Sequence, residues 1–170
     1  MPFEFSILYL IQSLRTPAFD QVVLFITSLA NYVWYILIMG LLINKPTRKI
    51  GIILAVAMIL QYLINGGLLK HLFTRVRPCN VDTTFELLIK RPKGFSFPSG
   101  HSAAAFCAVG VLYGAKIKGL LWPAFILACF IAFSRLYLYV HFPTDVLAGA
   151  LCGFFIGYGV FRTFDLPNWN

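Results

Sequence analysis

LLWPAFILACFIAFSRLYLYVHFPTDVLAGALCGFF, residues 120–155, is a pair of apolar runs joined by a polar junction. Each run, with its neighbours, approaches the roughly 20 mostly apolar residues that a bilayer-spanning helix needs. Between them stand Arg135, His141 and Asp145. Ionisable groups at the edge of hydrocarbon are expensive and mark function by default. The stretch therefore predicts a membrane-embedded helical hairpin with a working site at its turn. The apolar run Leu136–Val140 inside it fits either contact with a lipid tail or plain packing.

The rest of the chain has the same character. Of 170 residues, 59% are hydrophobic and only 12% charged, with a mean hydropathy of +0.81. A soluble domain carries about 25% charged residues, so residues 1–170 are read as one integral membrane domain. Fourteen Lys and Arg against six Asp and Glu leave a net charge of +8. That excess has two readings: membrane topology, because cytoplasmic loops collect Lys and Arg, or an anionic ligand. Cys107, Cys129 and Cys152 lie inside apolar runs and Cys79 lies in a loop, which is no disulfide pattern. No cleavable signal peptide is expected, since the N-terminus lacks a basic segment and carries Glu4.

Five segments qualify as spans, at about 21–43, 50–71, 99–115, 118–139 and 144–162. The N-terminal FEFSILYLIQSL is too short to cross before Arg15, Pro17 and Asp20 intervene. Residues 1–20 are read as an interfacial helix, with a short or tilted sixth span as the alternative. The expected fold class is thus all-α, a polytopic transmembrane helix bundle of five to six spans. Ala103, Ala104 and Ala105 in the third span, and Gly149, Gly153 and Gly157 in the fifth, suit close helix approach and put these two at the bundle centre. The connection at about 73–97 is polar, basic and holds Pro78 and Pro92, so it is read as a loop on the side of the site.

Counting the crossings brings three distant stretches to one membrane face. The second span ends near Lys70, the third begins near Ser99, the fourth returns near Arg135 and the fifth leaves near Asp145. In KHLFTRVRP (70–78), Lys70 and Arg77 suit phosphate oxygens, Arg through its bidentate fork; basic residues at helix ends also simply snorkel. In GFSFPSGHSAAAF (94–106), Ser99, Gly100 and His101 open a helix whose free N–H groups favour an anion. A capped helix with an incidental His reads equally well there. In SRLYLYVHFPTD (134–145), an acid four residues after His141 is placed to orient its imidazole, leaving the other nitrogen as a nucleophile. Ser134 fits a local bond. Two His and an Asp also suit zinc, but Lys70, Arg77 and Arg135 would repel a divalent ion and favour a multiply charged anion, so neither metal nor cofactor is expected.

These three motifs, K-x6-RP at Lys70–Pro78, PSGH at Pro98–His101 and SR-x5-H-x3-D at Ser134–Asp145, resemble the tripartite signature of the type 2 phosphatidic acid phosphatase (PAP2) superfamily. That superfamily also includes vanadium haloperoxidases and soluble acid phosphatases. The resemblance covers roughly residues 50–160. Larger membrane members have six spans, whereas this chain offers five and a short N-terminal helix. The resemblance implies that His141 is the nucleophile, forming a phosphohistidine, and that Asp145 orients it. It implies that His101 protonates the leaving oxygen and later activates water. Lys70, Arg77, Arg135, Ser99 and the Gly100 backbone would hold the phosphoryl oxygens, with no metal required. His71 lies outside the motifs. Arg75, Lys90, Arg91 and Lys93 fit either an anionic headgroup or solvated loop charges.

A membrane lipid phosphate is the substrate that such a bundle implies: undecaprenyl pyrophosphate, phosphatidylglycerol phosphate, phosphatidic acid or a lipid A phosphate. The motifs read the phosphoryl group and do not choose among these; the basic loop leans toward the pyrophosphate or phosphatidylglycerol phosphate. The short connections away from the site carry Lys45, Arg48, Lys49, Lys116 and Lys118, with Arg162 near the last span. This bias makes that face cytoplasmic and the site extracytoplasmic in a multi-pass cell-membrane protein with no nucleic-acid partner. Two rival classes are a transporter, which would place polar groups at span centres, and a non-catalytic lipid binder, which has no need of His101, His141 and Asp145 together.

Overall fold

The computed structural model describes residues 2–30 and 32–164; the last six residues of the expected 1–170 domain lie outside them, as does Asn31 within the expected first span. Among the described residues every regular element is helical. The order is α1 (Pro2–Gln12), α2 (Pro17–Ala30), α3 (Val33–Ile43), α4 (Arg48–Gln61), α5 (Lys70–Phe73), α6 (Pro78–Val81), α7 (Gly100–Gly114), α8 (Lys118–Tyr137) and α9 (Pro143–Phe164). A wide π-helical segment, Tyr62–Leu69, carries α4 directly into α5.

Three helical runs are long and apolar enough to cross a membrane: Lys45–Val81, Lys118–Tyr137 and Pro143–Phe164. Two of the expected spans differ from their reading. The stretch 21–43 is two helices, α2 and α3, bent by 43°. They are 14 and 11 residues long, about 21 and 16 Å at 1.5 Å per residue, so neither crosses alone and only the bent pair makes a fourth span. Its start also moves back to Pro17, because Thr16 caps it: the Thr16 hydroxyl accepts from Phe19 N at 3.3 Å, and proline suits the first helical turn. The stretch 99–115 becomes α7, of 15 residues, about 22 Å long and short of a full crossing.

What makes α7 tolerable at that length is its position. Ala103, Ala105, Cys107, Ala108, Val111 and Leu112 are all fully buried, against Leu54 and Ala57 of α4, Ala128 and Ile131 of α8 and Val160 and Phe161 of α9. Its closest partner is α9. A β-carbon at Gly149, Gly153 or Gly157 would overlap the carbonyl oxygens of Ser99, Ala103 and Cys107, and one at Gly110 would overlap that of Phe154. Backbones this close are the packing that small residues permit in membranes, as expected from their spacing. Gly153→Ala is accordingly expected to cost about 1–3 kcal/mol through overpacking. Its unfolding midpoint in detergent should fall by roughly 2–10 °C, and an unchanged midpoint would contradict this packing.

The N-terminal helix α1 packs into the bundle. Leu8, Ile11 and Gln12 of α1 are buried, and the Gln12 side chain donates to Tyr137 O at 2.9 Å. The second core cluster gathers α1, Val23, Cys79 and the run Tyr137–Val140. That run therefore packs: Leu138, Tyr139 and Val140 are at most 2% exposed. The hydroxyls of Tyr139 and Tyr9 both donate to Asp82 Oδ2, at 2.8 and 2.9 Å, and Tyr137 donates to Asp20 at 2.6 Å. Bonds from the side chain and backbone of Thr84, with that from Tyr139, hold the Asp82 carboxyl down at about 2. Phe85, Leu87, Leu88 and Ile89 join the same cluster, so the loop at 73–97 is a packed cover.

Candidate active site

Each motif is delivered by a distinct local device. Lys70 follows the π-helical segment, whose wider turn is a feature common at functional positions. Thr74, at φ 41°, ends α5 in the left-handed region, and the chain then runs extended to Arg77. Pro78 enforces that geometry, because the residue before proline is pushed out of the helical region. Ser99 caps α7, and Gly100 leaves open space beside the helix start. At the end of α8, Tyr139 takes φ 60°, a conformation usually given to glycine at helix C-termini. Val140 N then donates back to Arg135 O at 3.2 Å, so the chain turns sharply and aims His141 inward.

A cavity of about 730 Å³ collects Lys70, Arg77, Gly100, His101, Arg135 and His141 on its walls. Away from them it is lined by Ala30, Trp34, Tyr35, Ile38, Met58 and Ile59. The walls thus combine cations with a set of apolar and aromatic side chains. Lys70, Arg77 and Arg135 have no carboxylate within 4 Å among the described residues. Arg77 and Arg135 are nonetheless buried, at 5% and 3% exposure. Arg77 donates to Gly94 O and Val140 O, at 3.1 and 3.0 Å. Arg135 is steadied by Thr27 of α2 and by Ser134, the latter at 2.9 Å. Ser134 thus has its expected local role and also carries Arg135.

The protonation of His141 follows from its neighbours. Its Nε2 lies 3.1 Å from Arg77 Nη1. A guanidinium has donors only, so Nε2 bears the lone pair and the proton sits on Nδ1. Nδ1 faces Ser96 Oγ at 3.4 Å and Asp145 Oδ2 at 3.7 Å. Burial pulls His141 down to about 4, against the opposing effect of Asp145, so its imidazole is neutral at ordinary pH.

Asp145 departs from its expected geometry. At 3.7 Å it is beyond direct hydrogen-bond reach of His141. Ser96 stands between them, donating to Asp145 Oδ2 at 2.5 Å while its own oxygen faces Nδ1. Phe142 N donates to the same carboxylate oxygen at 2.8 Å. The sequence reading missed Ser96; its only signal was a small polar residue three positions before the motif serine. The Ser99 side chain also differs from expectation. It is fully buried, bonded to Ser102 N and Oγ at 3.4 and 3.0 Å, and does not line the cavity. Its backbone N–H donates to Asp145 O at 2.9 Å, tying α7 to α9. Two loop cations are structural as well. Arg91 donates to Cys79 O and to Asn80 Oδ1, the latter at 2.8 Å, and Arg75 pairs with Glu4 and Asp145. Among the described residues no set of three His, Cys, Asp or Glu side chains converges to hold a metal ion.

Fold and site together define a membrane-embedded helical bundle whose cations and histidines share one pocket. The chain belongs to the PAP2 superfamily, whose family model matches residues 50–169. An undecaprenyl-diphosphatase from Sulfolobus acidocaldarius is 34% identical over 128 residues, which are 75% of this chain and 62% of that protein. The chain therefore spans less than two thirds of that relative. The crystal structure of a transmembrane PAP2-type phosphatidylglycerolphosphate phosphatase from Bacillus subtilis superposes with a TM-score of 0.81 at 27% identity, over 99% of this chain and 88% of the other. Aquifex aeolicus LpxE matches with the same TM-score at 30% identity, over 93% and 94%.

Proposed function

We propose that the protein is a membrane lipid phosphatase that hydrolyses a phosphomonoester or diphosphate of a membrane lipid through a phosphohistidine intermediate. The observation that carries this reading is the set of three cations around two histidines, buried Arg77 and Arg135 with half-buried Lys70, none of which has a carboxylate within 4 Å among the described residues. Buried charge is costly unless paired, and a phosphate carrying two negative charges supplies the pairing. The apolar lining of the cavity, which includes Trp34, Ile38 and Met58, gives the adjoining tail a place within hydrocarbon.

In the reaction, His141 Nε2 attacks phosphorus and the bond from phosphorus to the lipid oxygen breaks. His101 gives that oxygen a proton. His101 then takes a proton from water, whose oxygen attacks the phosphohistidine, and the P–N bond breaks to release phosphate. Lys70, Arg77, Arg135 and the N–H groups at Gly100 stabilise the charge on the phosphoryl oxygens, the largest catalytic contribution in sites of this kind. Asp145, with Ser96, stabilises the imidazolium side of His141. Diphosphate and monoester substrates share this chemistry, and the similarity to an undecaprenyl-diphosphatase favours a diphosphate carried on a long lipid. The bias of Lys45, Arg48, Lys49, Lys116 and Lys118 to the opposite end supports a site on the extracytoplasmic face.

The test is phosphate release in detergent from a panel of undecaprenyl pyrophosphate, phosphatidylglycerol phosphate, phosphatidic acid and lipid A. Release is expected from at least one, undiminished by EDTA and inhibited by vanadate, which mimics the five-coordinate phosphoryl group. No release from any lipid, or loss of release on chelation, would overturn the reading.

A further inference from the structure

Arg75 is the one cation near the site that is already neutralised twice among the described residues. Its Nη1 donates to Asp145 Oδ1 at 2.6 Å and to Thr144 Oγ1 at 2.7 Å, and its Nη2 donates to Glu4 Oε2 at 2.5 Å. Thr144 closes the ring by donating to Glu4 Oε1 at 2.6 Å. The guanidinium lies 4.1 Å above the centre of the Phe142 ring, a cation–π arrangement. Phe5 of α1 packs edge-on against the same ring. Arg75 does not line the cavity. Its charge is already paired with two carboxylates, unlike that of Lys70, Arg77 and Arg135.

What Arg75 does hold is the orientation of Asp145. The carboxylate uses Oδ1 for Arg75 and Oδ2 for Ser96, for Phe142 N and for the side facing His141. Rotation about the carboxyl bond would exchange the two oxygens and dissolve that division. We propose that Arg75 is a positioning residue for the reaction, that it fixes Asp145 and thereby the Nδ1–H side of His141, and that Glu4 of α1 holds Arg75 in place. The N-terminal helix is thus part of the catalytic apparatus through a single side chain. This rests on the phosphatase reading of the site.

The test compares Arg75→Gln, Arg75→Lys, Glu4→Gln and the double variant Glu4→Gln/Arg75→Gln with wild-type protein, on a lipid phosphate that the wild type hydrolyses. Measured are kcat, KM and the inhibition constant of inorganic phosphate. Arg75→Gln should lower kcat roughly 10–100-fold, the range for outer partners that orient a reactive imidazole. KM and the phosphate inhibition constant should stay within about twofold, because phosphate-binding residues are untouched. Arg75→Lys should recover part of the loss. Glu4→Gln should lose about threefold to tenfold alone and add nothing to Arg75→Gln, the non-additivity of two residues acting through one contact. A kcat unchanged in the Arg75 variants would overturn the proposal. So would a raised KM and phosphate inhibition constant at constant kcat, which would make Arg75 a phosphate ligand, or additive losses for Glu4 and Arg75. Should Arg75→Gln fail to fold, Arg75→Lys and Glu4→Gln decide by the same criteria. A wild-type protein without activity would instead sink the phosphatase reading itself.

Discussion

His141→Ala should lower phosphate release by at least about 1000-fold, the scale on which removing a covalent nucleophile collapses turnover. The geometry gives the reason. Nε2 is the nitrogen on the cavity side, it carries the lone pair because Arg77 can only donate to it, and Nδ1–H is taken up by Ser96 and Asp145. No neighbouring group replaces that electron pair. Because burial pulls His141 down to about 4, its reactive neutral form persists well below the ordinary imidazole range. The sign is that acid must overcome burial before the nucleophile is lost. The acid limb of kcat/KM due to His141 is therefore expected near pH 4, rather than near the ordinary value of about 6.5. A variant retaining more than a tenth of wild-type activity would show that His141 is not the nucleophile.

His101→Ala should show the second largest loss, about 100- to 10,000-fold, as expected when a positioned general acid is removed. His101 stands in the first turn of α7 on the wall of the same cavity as His141. The loss should depend on the leaving group. A lipid alkoxide needs its proton as the P–O bond breaks, whereas an aryl oxide leaves without one. Comparison of an alkyl lipid phosphate with an aryl phosphate should therefore shrink the His101→Ala deficit severalfold for the aryl ester. An equal deficit on both would assign His101 to binding in place of proton transfer.

Much of this site is legible in the chain because its parts are short, local and chemically distinctive. K-x6-RP, PSGH and SR-x5-H-x3-D place cations and histidines at helix ends, and counting apolar crossings brings those ends together. The glycines of α9 likewise announce their packing on α7, since only residues without side chains allow such approach. What the sequence hides is set by tertiary context. The motif in FTRVRP singles out Arg77 and leaves Arg75 open; the left-handed Thr74 and the extended Arg77 carry out that choice, while Arg75 turns to Glu4 and Asp145, which nothing in the sequence foretells. The PSGH motif points to Ser99 and leaves Ser96 unmarked. Capping draws Ser99 away from the cavity and leaves Ser96 between His141 and Asp145.

The span count is hidden for a related reason. Hydropathy registers apolar length, and α2, α3 and the largely buried α7 are each apolar without being full crossings on their own. Burial of α7 by its neighbours satisfies the same composition that contact with lipid would require. The apolar run Leu136–Val140 fits lipid contact or packing equally in sequence; in the fold the hydroxyls of Tyr137 and Tyr139 find Asp20 and Asp82, and Tyr137–Val140 pack with α1.

The covalent step is tested most directly by acid-free quenching of the protein milliseconds after mixing with lipid phosphate labelled in its phosphoryl group, followed by peptide mapping. An acid-labile, alkali-stable label is expected on the peptide containing His141, chased to free phosphate and absent from His141→Ala. Turnover of the same substrate with no label on His141, or with label at another residue that chases at the catalytic rate, would contradict it.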